Sequence, residues 1–445
     1  MAFLCWCAFA PLMPEVREDL GLTKEQEYMA NIASVSSTVL ARFVVGPLCD
    51  TFGARVMSSV LLIAAAIPTY LCGLVNNAWQ LCLVRFLVGS VGAAFVCTQY
   101  WSSQMFAREV VGTANATTAG WGNLGGGVTQ VFMVLVWSSL RTYSGGAIDS
   151  ETAWRVSFVV PATLTLVVGL MQLVMADDCP MGQYSELVKR GTMRRKSATT
   201  SFRMGATKVN AWIMFVHYAC CFGVELTMDN TAASYFHDAF GLSTQKAGLV
   251  ASLFGLMNLF ARSFGGMFSD AMSHEFGGGG RGMRGRMYAH LLALVAEGVM
   301  LLLFARARQL GTAVLLLVFF SLGTQAAEGT SYSIVPSIAP MATGSVSGIV
   351  GAGGTLGAVA WGLLFRFGPS DPAQVYLILG VCVLVAACTV PLLHIRGHDS
   401  ILWSAGRDEL AKDPLLGVGD GLRSSPGPRR FTKTARKTYE YGGQI

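Results

Sequence analysis

Residues 41–50 read ARFVVGPLCD, and residues 261–270 read ARSFGGMFSD. The shared pattern is A-R-x-x-x-G-x-x-x-D, at an offset of 261 − 41 = 220. A second pair repeats in the same order: Gly122-Asn123-Leu124-Gly125 and Gly354-Thr355-Leu356-Gly357, offset by 354 − 122 = 232. The second half of the chain therefore repeats the first in parallel. Repeats of this size are the architecture of secondary transporters, which hold a substrate between the halves near the bilayer midplane.

The surrounding sequence supplies the membrane. Of 445 residues, 53% are apolar and only 13% charged, about half the charge usual for a soluble domain. Mean hydropathy is +0.50. A soluble globular enzyme, a disordered chain and a disulfide scaffold are excluded, and a polytopic all-α membrane protein remains. Apolar runs of spanning length lie at 28–49, 56–75, 79–101, 110–137, 153–175, 209–233, 247–270, 287–305, 311–337, 341–366 and 374–394. The short run Met1 to Met13 reads as the outer half of a first span whose beginning is missing, giving twelve in all.

The expected layout is a six-helix bundle over 1–177, a basic linker over 178–208, a second six-helix bundle over 209–396 and a tail over 397–445. The linker carries Lys189, Arg190, Arg194, Arg195, Lys196, Arg203 and Lys208, which places it in the cytoplasm, with both termini on that side. Arg306 and Arg308 fall on the outer side, against the rule. Gly277 to Gly280 read as a flexible turn, and the tail between Arg423 and Lys437 as a basic solvated segment or a contact for anionic lipid.

Arg42 and Arg262 precede Asp50 and Asp270 by eight residues, which is about 12 Å of helix and close to mid-membrane. An arginine at that depth faces a cavity or a partner. Two readings stay open: a carboxylate on another helix neutralises each, or the pair clamps a small anion with its planar, forked donors. Gly46 and Gly266 lie on the arginines' faces and permit close helix approach. Two glycine-rich spans, Gly120–Gly127 and Gly351–Gly357, serve tight packing and bring bare backbone and the Asn123 amide toward the substrate.

Inside the spans, Glu225, Asp229, Glu297 and Glu328 are candidates for proton binding or for partnering Arg42, Arg85 or Arg262. Arg85 either snorkels to the interface or couples to protonation, and His217 reads as a polar packing residue more readily than as a relay. Tyr100, Trp101, Tyr218, Phe222 and Tyr332 are candidate cavity walls. There is no catalytic triad, metal-ligand spacing, nucleotide motif or nucleic-acid signature, so no enzymatic role, metal or cofactor is expected.

Gly46-x-Leu48-x-Asp50-x-x-Gly53-x-Arg55 resembles the loop motif after the second span of major facilitator transporters, where it acts as a charge latch. With APLMPEVREDLGLT, RFLVGSVGAAFVCTQYW, AGWGNLGGGVTQ, HYACCFGVELTMDN, AAEGTSYSIVP and GAGGTLGA, the chain resembles the high-affinity nitrate transporters of plants, algae and fungi over about residues 8–395. The resemblance implies the major facilitator fold and uptake of nitrate or nitrite with protons, by alternating access across the plasma membrane. It implies anion binding by Arg42 and Arg262, with Asn123, Gly122, Gly354 and Thr355 in the two signatures and Tyr218 and Phe222 against the anion. Many plant members require a small single-span partner. A nitrate sensor, or a carrier of another small anion, is the alternative.

Overall fold

The computed structural model describes residues 1–143, 148–192, 197–242, 244–277 and 279–404, and among them there is no β-strand. The helices are, in chain order, Ala2–Trp6 (α1), Met13–Asp19 (α2), Lys24–Phe52 (α3), Ala54–Leu71 (α4), Ala78–Gly89 (α5), Ala94–Met105 (α6), Val111–Tyr143 (α7), Ser150–Ser157 (α8) and Val159–Met175 (α9). Tyr184–Lys189 (α10) and Ala198–Ala206 (α11) follow in the linker. The rest are Val209–Phe240 (α12), Thr244–Leu256 (α13), Ala261–Glu275 (α14), Gly279–Ala305 (α15), Leu310–Ile338 (α16), Thr343–Phe367 (α17) and Pro372–Ala387 (α18).

Local chemistry sets the ends. At the start of α3, Thr23 Oγ1 accepts from the Gln26 backbone at 3.3 Å and Gln26 Oε1 accepts from the Thr23 backbone at 2.9 Å, a reciprocal cap. α3 stops at Gly53, whose φ of +86° suits only glycine. Asp371 caps α18 just before Pro372.

Ten helical stretches of the described residues are long and apolar enough to cross a membrane, from Met29–Phe52 to Pro372–Leu392. The 33-residue α7 covers the remaining apolar run, and Ala2–Leu12 is shorter. This is an integral, multi-pass membrane protein.

Two expected spans are broken. The run 79–101 bends through a 3-10 turn, Ser90–Ala93, between α5 and α6. The turn frees carbonyls that α3 satisfies: Thr38 donates to Gly89 O at 2.7 Å and Arg42 to Gly92 O at 3.2 Å. The run 247–270 breaks at the 3-10 turn Met257–Leu259, between α13 and α14, immediately before Arg262.

The linker is more ordered than a loop, since α11 packs on α3 and α17. Its Arg194, Arg195 and Lys196 lie outside the described residues. So does the tail beyond residue 404, including Arg423 to Lys437. The glycine turn shrinks to 276–277, with Gly278 outside the described residues and α15 starting at Gly279. α17 lies between α3 and α12, and α7 lies against α14 and α16, so the two glycine-rich helices carry the packing between the repeats.

Candidate functional site

Arg42, from the middle of α3, is fully buried. Its Nη1 donates to Gly351 O at 2.5 Å on α17, and its Nε and Nη2 donate to Gly92 O at 3.3 and 3.2 Å. Its guanidinium lies over the rings of Phe95 and Phe222, 5.1 and 5.3 Å from their centroids. Among the described residues no carboxylate forms an ion pair with it.

Arg262, at the start of α14, meets the same two rings at 5.9 Å each. Its Nη2 donates to Tyr218 Oη at 3.1 Å, stands 3.9 Å from Glu225 Oε2 and forms an ion pair with Glu328. Its Nη1 has no hydrogen-bond partner among the described residues. The two readings of the arginines therefore divide. Arg262 is neutralised by carboxylates from α12 and α16, while Arg42 is left with carbonyls and ring faces.

The rings form the shared wall. Phe222 stacks on Tyr218 at 5.4 Å and on Phe95 at 6.0 Å, and Tyr332 meets Phe95 and Tyr218 edge-on at 5.2 Å. A side chain at Gly354 would run into Phe222 and Tyr218, so the bare backbone of α17 is what lets them stack.

Glu225 is held by two amides, accepting at Oε1 from Asn258 at 2.6 Å and from Asn123 at 3.4 Å. The Asn123 Oδ1 is buried without a partner. Phe95 and Asn258 escaped the sequence reading. Phe95 is one apolar residue among many on its span, and Asn258 matters only because the turn at 257–259 aims it at Glu225.

Several expected residues lie elsewhere. Gly122 is exposed, and a Cβ there would meet nothing within 4 Å. Thr355 spends its hydroxyl on Gly351 O and Ala352 O of its own helix. Tyr100 hydrogen-bonds Tyr184 at 2.8 Å, and Trp101 donates to Asp177 O at 2.8 Å; both belong to the linker contact, not the cavity. Asp229 stands one turn beyond Glu225 on α12, with Gly255 across from it. Arg85 is buried over Phe9, 5.7 Å from the ring centroid, instead of reaching outward.

The aspartates at the helix ends do more than the motif suggested. Asp50 accepts from the backbone of Gly344 and Ser345 at 3.0 and 2.9 Å, and from the hydroxyls of Ser345 and Ser201 at 3.0 and 2.5 Å. It caps the start of α17. Asp270 accepts from Gly112 and Thr113 backbone at 3.2 and 2.7 Å and pairs with Arg286 at 2.6 Å. It caps the start of α7. Each repeat thus places a carboxylate on the positive end of the other repeat's glycine-rich helix.

Arg55 does not join this latch. It pairs with Asp178 at 3.6 Å, and a Cβ on Gly53 would collide with that carboxylate. Asp50→Asn keeps the shape but removes the charge and one strong acceptor. That variant is expected to lose about 1.5–3 kcal/mol of stability, the worth of a charge-assisted hydrogen bond, read as a lower midpoint of thermal unfolding in detergent. An unchanged midpoint would show that the cap does not hold the start of α17.

The family profile of the Major Facilitator Superfamily matches residues 1–362. The chain is 39% identical over 390 residues to the High affinity nitrate transporter 2.5 of Arabidopsis thaliana, covering 88% of this chain and 76% of that one. It is 34% identical to the Nitrate transporter 2.1 of Chlamydomonas reinhardtii over 404 residues, covering 89% and 72%. With the Nitrate/nitrite transporter NrtP of Nostoc punctiforme it shares 25% identity, covering 92% and 93%. Among solved structures, the fucose:proton symporter FucP in its outward conformation aligns with a TM-score of 0.65 at 12% identity, covering 88% and 96%. The proton:xylose symporter XylE aligns at 0.62 and 14%, covering 87% and 92%. These two share the fold.

Proposed function

The chain belongs to the high-affinity nitrate transporters of the major facilitator superfamily, and on that premise we propose that it carries nitrate, with nitrite as a second substrate, into the cell together with protons. The observation that carries this reading is Arg42: a buried guanidinium against the rings of Phe95 and Phe222, with backbone carbonyls for acceptors and no carboxylate among the described residues. A planar oxyanion supplies a negative charge to this guanidinium and matches its forked donors. Arg262 is the second arm, freed when Glu328 lets go.

Charge counting supports the protons. Arg42 and Arg262 bring two positive charges, Glu225 and Glu328 two negative ones. Adding nitrate leaves an uncompensated negative charge in a buried site. Protonating Glu328 restores neutrality and releases Arg262 to the anion, so proton and nitrate load together. Glu225 stays in place on Asn258 and Asn123.

Movement follows from the repeat. The halves 1–177 and 209–396, joined by the 178–208 linker, rock about the arginines; the Asp50 and Asp270 caps hold one face shut and break when it opens. The basic linker supports a cytoplasmic position for that face and for both termini, in the plasma membrane. A small single-span protein is the proposed partner in the bilayer.

Nitrate-evoked current in oocytes at pH 5.5 and 7.5, with and without a single-span partner, tests the reading. The expected result is an inward current that grows at the acid pH. Labelled nitrate entry without pH dependence overturns proton coupling. Absence of any nitrate flux in every condition turns the assignment toward a sensor or another anion.

A further inference from the structure

Behind the anion site, within the helices of the second repeat, two histidines touch. His217 on α12 and His290 on α15 are both fully buried. Their facing nitrogens, His217 Nδ1 and His290 Nε2, are 3.2 Å apart. At one end His217 Nε2 is 2.7 Å from Thr389 Oγ1, which donates to Ala386 O at 2.7 Å. At the other end His290 Nδ1 is 2.9 Å from Thr330 Oγ1, which donates to Ala327 O at 2.9 Å.

That chain contains five hydrogen bonds. Two hydroxyls and two neutral imidazoles supply one hydrogen apiece, four in total. With both rings neutral, one bond must go unmade: either the two facing nitrogens meet as bare lone pairs, or one threonine turns from its carbonyl to a ring nitrogen. One further proton fills the deficit: both outer ring nitrogens then donate to hydroxyl oxygens, both hydroxyls donate to carbonyls, and the inner N–H is shared between the rings. An unfilled bond in a buried network is costly.

We propose that the His217–His290 pair binds one proton, and that this is a second coupling proton, separate from the one taken up at the anion site. This rests on the reading of the chain as a proton-coupled nitrate importer. The proton comes from water and returns to it, with no covalent bond between heavy atoms made or broken.

The neighbours suit a transient positive charge. Glu297 lies seven residues from His290 on α15, about 10 Å along the same face, and is fully buried with neither carboxyl oxygen hydrogen-bonded among the described residues. Other titratable groups on the surrounding helices include Tyr218, Cys220, Cys221, Glu225 and Asp229 on α12, Glu328 and Tyr332 on α16, and Tyr376 and Cys382 on α18, with Cys388 just beyond its end. Glu225 and Glu328 already serve Arg262. Arg286, one turn from His290, is paired with Asp270.

The placement explains how the pair reaches the site. His217 adjoins Tyr218, which binds Arg262, and Thr330 is two residues from Glu328, which pairs with Arg262. Loading the pair therefore tightens the two helices that hold Arg262. Thr389 is half-buried near the end of the last span, beside the start of α12, where Asn210 donates to His394 O. That end gives the proton its route to water.

The test is the ratio of charge to nitrate, from simultaneous current and labelled-nitrate uptake in single oocytes. An importer carrying nitrate with two protons moves about one positive charge per nitrate. His217→Gln and His290→Gln are expected to lower the ratio to about zero, because one proton per nitrate is electroneutral, while acid-stimulated nitrate entry persists. Thr389→Val, nearly isosteric, is expected to do the same, because it removes two of the five bonds and one hydrogen and so abolishes the deficit, and it decides the matter if the histidine variants fail to reach the surface. A ratio still near one in Thr389→Val, or in either histidine variant at the surface, overturns the proposal. A wild-type protein whose nitrate entry ignores pH overturns the proton coupling on which this proposal rests.

Discussion

Arg42→Lys is expected to weaken nitrate uptake by about 10- to 100-fold in apparent affinity with the protein still at the membrane. Arg42 uses one hydrogen on each of its three nitrogens for Gly351 O and Gly92 O. Of the five N–H donors of a guanidinium, two remain, one on each terminal nitrogen, spaced for two oxygens of a planar anion. A lysine ammonium has three donors on one atom. It can satisfy the two carbonyls or face the anion with a fork, not both, and it loses the planar guanidinium's contact with Phe95 and Phe222. Losing one charge-assisted bond costs about 1.5–3 kcal/mol, which sets the range. Uptake measured against nitrate concentration reads it, and a wild-type half-saturation in Arg42→Lys would remove Arg42 from the anion site.

Gly46→Val has the second large effect, for a steric reason. A Cβ at Gly46 would fall on Gly344 O and within 3.1 Å of Gly348 Cα, distances that force α3 and α17 apart. These helices cross at the point where Asp50 caps α17, so the variant is expected to hold that face open. Nitrate uptake should fall at least tenfold. A Ser345→Cys reporter, at a position buried behind the cap in the parent protein, should become reactive to a membrane-impermeant maleimide applied from that face. Normal uptake, with the Ser345→Cys reporter still unreactive, would show that the crossing tolerates the side chain and that the latch is not closed by backbone contact.

The parallel repeat and the major facilitator fold were legible from ARFVVGPLCD, ARSFGGMFSD and the apolar runs, because hydrophobic length and repeated small residues are properties of the string itself. Family membership was legible for the same reason, and the relatives bear it out. The two buried arginines were also legible, since a guanidinium in an apolar run always demands an account.

What each arginine pairs with was not. Equal depth in two repeats suggested equal roles, yet Glu328 and Glu225 come to Arg262 and leave Arg42 to carbonyls. Partner choice depends on which faces of α12 and α16 turn inward, and periodicity over a uniformly apolar helix does not fix a face. The same limit misplaced Tyr100, Trp101, Gly122 and Arg55, and it hid Phe95, Asn258 and the contact of His217 with His290, whose positions are 73 residues apart.

The sequence by itself determined that this chain crosses the membrane many times, in two related halves with one deep arginine in each, because burial cost and repetition act residue by residue. Only the tertiary structure decided that one arginine is already paired and the other is not, that the aspartates cap the opposite repeat's glycine helices, and that two histidines share a chain of hydrogen bonds one hydrogen short. Those are relations between helices, set by rotation and close packing, which no single segment encodes.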